Sequence, residues 1–327
     1  MLPRTMKVIG TCGLTRTDGM THFAKFIVCL LILFPAHAFA QPANDHLLSA
    51  QNLSQIAPHV WMIKGFPNIG IVVGSQATLV VDTGLGTKNG QIVAETALRL
   101  TPKGHKLYLT TTHYHAEHAA GDGGFPPGTV VIRPKSQQAE LESEGQKLVD
   151  LFSSRSEQDK ELLQDYRARP ANILFDNSYK LDLGGGVTVG LYWFGAAHTK
   201  SDELILVEPD SVLFSGDVVQ NKTGPYFYCA DCTPRSWLAV LEHIAPLKPK
   251  IVVPDHSPVG DNSLIENERA FMSDLVTRTK ALKAEGKSAD ETKHILAAEI
   301  QAKYQGWTSL NRVEDGIGRA YADTNAP

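Results

Sequence analysis

The chain contains few cysteines and no run of basic residues. Two of its four cysteines lie within the first forty residues, and the other two form the single pair Cys229-Ala-Asp-Cys232. No second pair of this kind exists to complete four thiolate ligands, which argues against a structural zinc site of that type. The formal net charge is −4 at pH 7. A mildly acidic chain without basic runs argues against nucleic acid as a partner.

Long apolar runs are also lacking, because Phe26–Phe34 is shorter than the roughly 20 residues that a membrane-spanning helix needs. Lys25 precedes this run, and the small-x-small sequence Ala38-Phe39-Ala40 follows it, which is typical of a cleaved signal peptide. We therefore expect residues 1–40 to be removed on export to the periplasm or beyond, leaving no stable membrane anchor. A retained N-terminal anchor is the alternative. The first forty residues carry a net charge of +3, so the remainder carries −7.

In an exported protein, the pair Cys229 and Cys232 is most simply a loop closed by a disulfide. Two free thiols and a pair of metal ligands are the alternatives. We do not expect a thioredoxin-like redox motif, because no helical pattern follows Cys232 directly.

Short strands and helices alternate over residues 41–327, which we expect to form a single domain with C-terminal helices. Apolar and β-branched runs predict strands at 59–63, 70–73, 78–82, 106–112, 129–132, 187–194, 203–207, 212–214 and 251–253. Helices are predicted at 87–101, within 136–168 as a lid or helical insertion, at 237–244, at 264–283 and after the capping box that begins at Ser288. Two groups of strands with helices between and after them favour a layered α/β sandwich over a doubly wound parallel sheet.

Three imidazoles and a carboxylate follow one of these strands within six residues. They are His113, His115, Glu117 and His118. Three further strands end in turns that carry a residue of the same kind, namely His198, Asp217 and His256. Imidazole and carboxylate are the usual ligands of catalytic zinc, and strand ends on a rigid scaffold can bring such residues together. The sequence therefore predicts a metal site.

In this order and spacing, these residues resemble the pattern of the metallo-β-lactamase superfamily of hydrolases. That pattern is His-x-His-x-Asp-His, then a distal His, an Asp after a strand and a last His. The resemblance extends from Val60 to about Tyr321. It implies a four-layer αββα sandwich with two zinc ions in a shallow groove.

The resemblance also implies a role for each residue. One zinc would be held by His113, His115 and His198, and the other by Glu117, His118 and His256. Asp217 would bridge the two ions, and Asp82 would orient a ligand imidazole from behind.

Two positions depart from the family pattern. Glu117 stands where Asp is usual, and its extra methylene adds about 1.5 Å of reach. It is expected either to bind a displaced zinc, to bind more weakly after swinging aside, or to act as a proton shuttle. Asp255 stands before His256 where Gly is usual.

The resemblance implies hydrolysis by a zinc-activated water, with Asp217 and Glu117 as the catalytic carboxylates. The substrate would be a small molecule with an ester, lactone, amide or similar centre. Hydrolysis of β-lactams is one alternative, although Asp217 in Ser215-Gly216-Asp217 favours a general hydrolase. A metal-binding accessory protein of an export-side redox pathway is the non-enzymatic alternative.

Aromatic residues are expected at the mouth of the site, in the segments 65–68 and 225–228. Ordinary core packing is the alternative for these side chains. Tyr114 is expected to face either the groove or the core. Seven further histidines are expected at the surface or in the targeting segment: His22, His37, His46, His59, His105, His243 and His294.

Overall fold

The computed structural model describes residues 46–323, so the predicted signal peptide at residues 1–40 lies outside the described residues. Two β-sheets stand at the centre of this region. The first sheet contains β1 (Leu53–Ala57), β2 (Val60–Ile63), β3 (Ile69–Val73), β4 (Ala77–Val81), β5 (Lys106–Thr110), β6 (Val130–Pro134) and β7 (Ile173–Phe175), in that order. The second contains β8 (Ser178–Gly184), β9 (Val187–Trp193), β10 (Glu203–Glu208), β11 (Val212–Gly216) and β12 (Ile251–Pro254), which also follow one another from edge to edge in chain order.

Helices cover the outer face of each sheet. On the first sheet, α1 (Gly86–Leu100) and α3 (Lys135–Ser153) pack against the strands, and α2 (Ala116–Ala119) and α4 (Glu157–Leu163) pack against these two helices. Those on the second sheet are α5 (Pro234–Ile244), α6 (Ser263–Ala284), α7 (Ala289–Lys303) and α8 (Val313–Asp323). No helix within residues 46–323 is both long and apolar enough to cross a bilayer.

The core between the sheets explains why they stack. Alternate residues of a strand point to opposite faces, so one set of side chains meets the other sheet. Val60 and Leu79 of the first sheet pack in one buried cluster with Val189, Ile205 and Phe214 of the second. The other set meets the helices, as Ile63 and Val80 do against Val93 of α1. The predicted four-layer αββα sandwich is therefore confirmed.

The helix boundaries follow local capping signals. Ser288 and Glu291 form the expected capping box at the start of α7. Helix α6 ends before Gly286, whose positive φ of 83° is the left-handed conformation that glycine adopts without strain. The Lys287 N–H then donates to the Leu282 carbonyl at 3.1 Å, which closes the helix end.

Most of the predicted elements are confirmed, including the helix predicted at 264–283 and observed at 263–284. The strand predicted at 106–112 ends earlier, at Thr110. Five elements were missed: β1, β7, β8, α2 and α8.

The disulfide between Cys229 and Cys232 is present, with Cα atoms 5.1 Å apart. The expectation that no helix follows Cys232 directly was wrong, because α5 begins at Pro234. Its start is marked by Thr233 as N-cap and Ser236 in place of the usual Glu or Gln, a weaker signal than the one at Ser288.

Phe214 offers a test of the inter-sheet core. It is fully buried, and a Cβ added at Gly70 on the opposing sheet would lie only 2.4 Å from its ring. We expect Phe214→Ala to lower the free energy of unfolding by about 3–5 kcal/mol, because it leaves a cavity between the sheets. Leu98→Ala on the exposed face of α1 is the control, with an expected change within about 0.5 kcal/mol. Equal effects of the two substitutions in urea denaturation would contradict this packing.

Candidate metal centre

The seven sequence-predicted ligands lie at one edge of the sandwich, where strands of both sheets end. His113 follows β5, and His198 follows β9. Asp217 follows β11 directly, and His256 lies two residues after the neighbouring parallel strand β12. Gly216 has a positive φ of 56°, and a Cβ there would lie 2.9 Å from Thr112 Cβ, so the turn that presents Asp217 requires glycine.

Three imidazoles form the first group. The ligand atoms of His113, His115 and His198 all lie within 4.8 Å of one another. His115 Nδ1 is 3.4 Å from His198 Nε2. His198 Nδ1 lies 2.7 Å from the carbonyl oxygen of Tyr226, which can only accept a hydrogen bond. The Nδ1 therefore carries the proton, and the lone pair on Nε2 faces the group.

A carboxylate and two imidazoles form the second group. Glu117, His118 and His256 also offer ligand atoms within 4.8 Å of one another. His118 Nε2 lies 3.2 Å from His256 Nε2 and 3.9 Å from Glu117 Oε1. Glu117 therefore reaches the same space as the two imidazoles despite its longer side chain.

Asp217 stands between the two groups. Its Oδ2 is 3.2 Å from His198 Nε2, and its Oδ1 is 3.6 Å from His256 Nε2. Gln220 Nε2 donates to Oδ1 at 2.7 Å and holds the carboxylate in this orientation. One oxygen therefore faces each group.

The donor set fits a metal. Ligands about 2.0–2.1 Å from a tetrahedral zinc lie about 3.3 Å from one another, close to the observed separations of 3.2–3.6 Å between His118 and His256, His115 and His198, and Asp217 and both groups. His113 Nε2 and Glu117 Oε2 are buried without a hydrogen-bond partner in the described part of the chain. Buried polar atoms are rarely left unpaired, so these atoms indicate a missing ligand.

Burial sets the protonation of the cluster. It lowers the pKa of His113, His115 and His198 below the ordinary value and that of His256 to about 4. Burial disfavours the charge on Asp217, but His256 and His198 outweigh it and lower the pKa of that carboxyl. These imidazoles are therefore neutral and the carboxylate ionised at pH 7, as metal ligation requires.

Glu117 behaves differently from Asp217. Burial raises its pKa to about 7, although His118 favours the ionised form. The carboxyl group can therefore hold or release a proton near neutral pH, whereas Asp217 stays ionised.

Two carboxyl groups stand behind His118. Its Nδ1 lies 3.1 Å from Asp82 Oδ2 and 3.2 Å from Asp255 Oδ2. Burial disfavours the charged imidazole, but Asp82 and the hydrogen bonds to both carboxyl groups raise its pKa. Burial raises the pKa of Asp255, and the charge of the neighbouring Asp82 raises it further. Thr112 Oγ1 lies 2.9 Å from Asp82 Oδ2 and 2.9 Å from Asp255 Oδ2. Because both carboxyl groups contact Nδ1, Asp255 takes part in orienting His118 together with Asp82.

A cavity of about 520 Å³ opens over the two groups. Phe66, Tyr226 and Tyr228 line it, as the sequence predicted for the segments 65–68 and 225–228. Phe227 instead packs in the core against Trp237, and Tyr114 is buried in a small cluster beside α3.

Several residues at this site were not found from the sequence. Arg155, Gln220, Glu268, Thr308, Ser309 and Arg312 also line the cavity. They are distant from the motif in sequence, so spacing offers no signal for them. His46 was expected at the surface but is buried, with Nδ1 2.6 Å from Asp159 Oδ1 and its ring stacked on Phe66. This correction follows from tertiary packing against α4.

The metallo-beta-lactamase superfamily model matches residues 62–256, which is more than half of the chain. The chain belongs to the metallo-β-lactamase superfamily. Members are generally metal-dependent hydrolases, and the matched segment contains all seven candidate ligands. No curated protein sequence matches the chain.

Solved structures share the fold. The inverting sec-alkylsulfatase Pisa1 from Pseudomonas sp. is 14% identical with a TM-score of 0.61, over 83% of this chain and 49% of that one. This chain thus spans about half of the alkylsulfatase. The metallo-β-lactamase from Pontibacter korlensis is 20% identical with a TM-score of 0.51, over 68% and 98%. A metallo-β-lactamase from Hirschia baltica is 15% identical with a TM-score of 0.53, over 69% and 98%.

Glu268 of α6 generates a prediction about pH. It is 1% exposed, and burial raises its pKa to about 8 although the Gln220 N–H hydrogen-bonds it. Between about pH 4.5 and pH 8 the folded chain holds a proton that the unfolded chain has released, so this residue lowers the free energy of unfolding as pH rises. We expect Glu268→Gln to remove this decline, a relative gain on the order of a few kcal/mol between pH 5 and pH 8.

Urea denaturation at several pH values measures this difference directly. The exposed Glu266→Gln on the same helix is the matched control and should run parallel to the wild type. Parallel curves for the wild type and Glu268→Gln would show that Glu268 is ionised throughout.

Proposed function

We propose that this protein is an exported zinc-dependent hydrolase of a small molecule with an ester, lactone, amide or similar centre. The observation that carries the proposal is Asp217, whose two oxygens face His198 of one ligand group and His256 of the other at 3.2 and 3.6 Å. A carboxylate placed in this way suits two metal ions held side by side.

The ligand groups define what each residue would do. His113, His115 and His198 would hold one zinc, Glu117, His118 and His256 the other, and Asp217 both. Zinc, when bound, supplies Lewis acidity and lowers the pKa of a bound water to near 7.

The protein side chains would position and move protons around that water. Tyr226 fixes the orientation of His198 through its carbonyl, and Gln220 fixes Asp217. In the alternative in which Glu117 does not bind zinc, its pKa of about 7 suits it to accept a proton and return it to a leaving group. Phe66, Tyr226 and Tyr228 provide apolar walls for the substrate.

The proposed export is supported by the disulfide between Cys229 and Cys232. Disulfides persist in the periplasm and outside the cell but are rare in the reducing cytosol.

Hydrolysis of a sulfate ester is a second candidate within the same chemistry. The likeness to the sec-alkylsulfatase extends over 83% of this chain, against 68–69% for the two β-lactamases. Residues beyond the family match, including Glu268, Ser309 and Arg312, also line the cavity. Hydrolysis of β-lactams remains the alternative that export favours.

A substrate panel with the zinc-loaded protein tests the enzymatic function. We expect turnover of at least one class among esters, lactones, sulfate esters and β-lactams. Asp217→Ala should reduce it at least about 100-fold, because the carboxylate shared by both metal sites is lost. Asp176→Ala, an exposed aspartate paired with Lys135, is the control and should retain wild-type rates.

Zinc analysis and circular dichroism accompany the panel. Full zinc occupancy with no turnover of any class would favour a metal-binding accessory protein. Full activity of Asp217→Ala would contradict the assignment of Asp217.

Glu117→Asp tests the longer carboxylate. Shortening the side chain withdraws the oxygens by about 1.5 Å from His118 and His256. We expect zinc bound at limiting concentration to fall from about two per chain toward one, measured by elemental analysis. Glu144→Asp, exposed on α3, is the matched control. Identical stoichiometry and rate for Glu117→Asp and the wild type would show that the extra methylene has no effect.

A further inference from the structure

Two arginines at the cavity stand apart from the other arginines of residues 46–323. Elsewhere in this range each guanidinium has a partner, as Arg133 has with Asp122 and Arg278 with Glu299. Arg155 and Arg312 form no ion pair, and their guanidinium groups donate no hydrogen bond within the described residues. Both line the same cavity over the candidate metal centre. A guanidinium carries five donors in a planar fork, so two of them are available to an occupant of the cavity.

Arg155 lies just beyond the end of α3. Its Cζ is 3.5 Å from the ring centroid of Phe152, which supports the guanidinium from one face. Its charge acts on His115, Glu117 and Tyr228, so the group lies within electrostatic reach of both ligand groups.

Arg312 approaches from the turn before α8. Its Cζ is 4.3 Å from the ring centroid of Tyr226. Tyr226 stacks on Tyr228 at 4.4 Å, and Tyr228 lies 4.2 Å from the His115 ring. A continuous row of aromatic rings therefore connects this guanidinium to a candidate ligand.

The carboxyl groups that line the cavity form no ion pair with these two arginines. Asp217 is directed at His198 and His256, and Glu117 belongs to the second ligand group. Glu268 is buried, which favours its neutral form at pH 7. The two guanidinium groups are thus cations at the cavity wall that are available to bind an anion.

We propose that Arg155 and Arg312 form an anion-binding subsite, and that the substrate is an organic anion with an apolar body. The subsite binds a sulfate, carboxylate or phosphate group, while Phe66, Tyr226 and Tyr228 contact the apolar part. The identity of the occupant as a substrate rests on the proposed hydrolase function. The anionic group is either the reacting group itself, as in a sulfate ester, or a carboxylate beside a neutral reacting ester.

The test compares Arg155→Gln, Arg312→Gln and the double variant on matched substrates. p-Nitrophenyl butyrate is the neutral ester, the p-nitrophenyl monoester of succinic acid carries a carboxylate, and p-nitrophenyl sulfate has an anionic reacting group. We expect each substitution to raise the KM of an anionic substrate relative to the neutral ester by about tenfold, because a charge-assisted hydrogen bond is lost. Arg99→Gln, on the exposed end of α1 and bonded to Thr96, is the control and should leave that ratio unchanged.

The two anionic arms distinguish the sources of the charge. A loss confined to the sulfate supports recognition of the reacting group, and a loss confined to the succinate monoester supports a separate carboxylate. An unchanged ratio in the double variant, or an equal change in Arg99→Gln, would overturn the subsite.

Binding of octanesulfonate by calorimetry, with and without zinc, gives a readout that does not depend on turnover. We expect the double variant to bind it at least about tenfold more weakly, with binding by the wild type weakening as salt increases. Weakened sulfonate binding without turnover of any ester would support the subsite and contradict the hydrolase. Turnover of the neutral ester with no sulfonate binding would support the hydrolase and contradict the subsite.

Discussion

Crowding of lone pairs at one edge of the sandwich is the constraint on which the rest of the site depends. His118 and His256 direct nitrogen atoms at each other across 3.2 Å, and His115 and His198 do so across 3.4 Å. Such pairs need a proton or a cation between them. Burial disfavours a proton on His115, His198 and His256, whereas Asp82 and Asp255 favour one on His118. Asp82 and the Tyr226 carbonyl keep the imidazoles in this orientation from behind. The side chains at this edge are thus arranged so that they could hold a cation.

The elements that support this edge could be predicted from the sequence because their signals are local. The strands β4, β5, β9, β11 and β12 are apolar and end in turns, and the capping box at Ser288 needs only four residues. β7 has three residues and β8 alternates exposed and buried positions, so neither forms a clear apolar run. The seven candidate ligands between His113 and His256 could be assigned to one site from the sequence, because each of them follows the end of a predicted strand. Strand ends at one edge of a sandwich lie close together.

The cavity wall could not be predicted in the same way. Arg155, Glu268 and Arg312 lie on separate helices and turns, and only the packing of α3, α6 and α8 brings them to one space. His46 was misjudged because its partner Asp159 is more than a hundred residues away. The motif thus indicates the type of reaction, whereas the segments around the motif form the cavity wall and determine which molecules reach the candidate metal centre.

The ring of Phe66 lies between the rings of two histidines, of which His256 is a candidate ligand and His46 is not. Its ring is 4.4 Å from His46 on one side and 4.4 Å from His256 on the other, and His46 in turn contacts Asp159 of α4. A chain of contacts therefore runs from α4 to the candidate ligand His256 through the rings of His46 and Phe66. Substitutions in α4 can therefore alter the surroundings of the His256 ring without changing any of the seven candidate ligands.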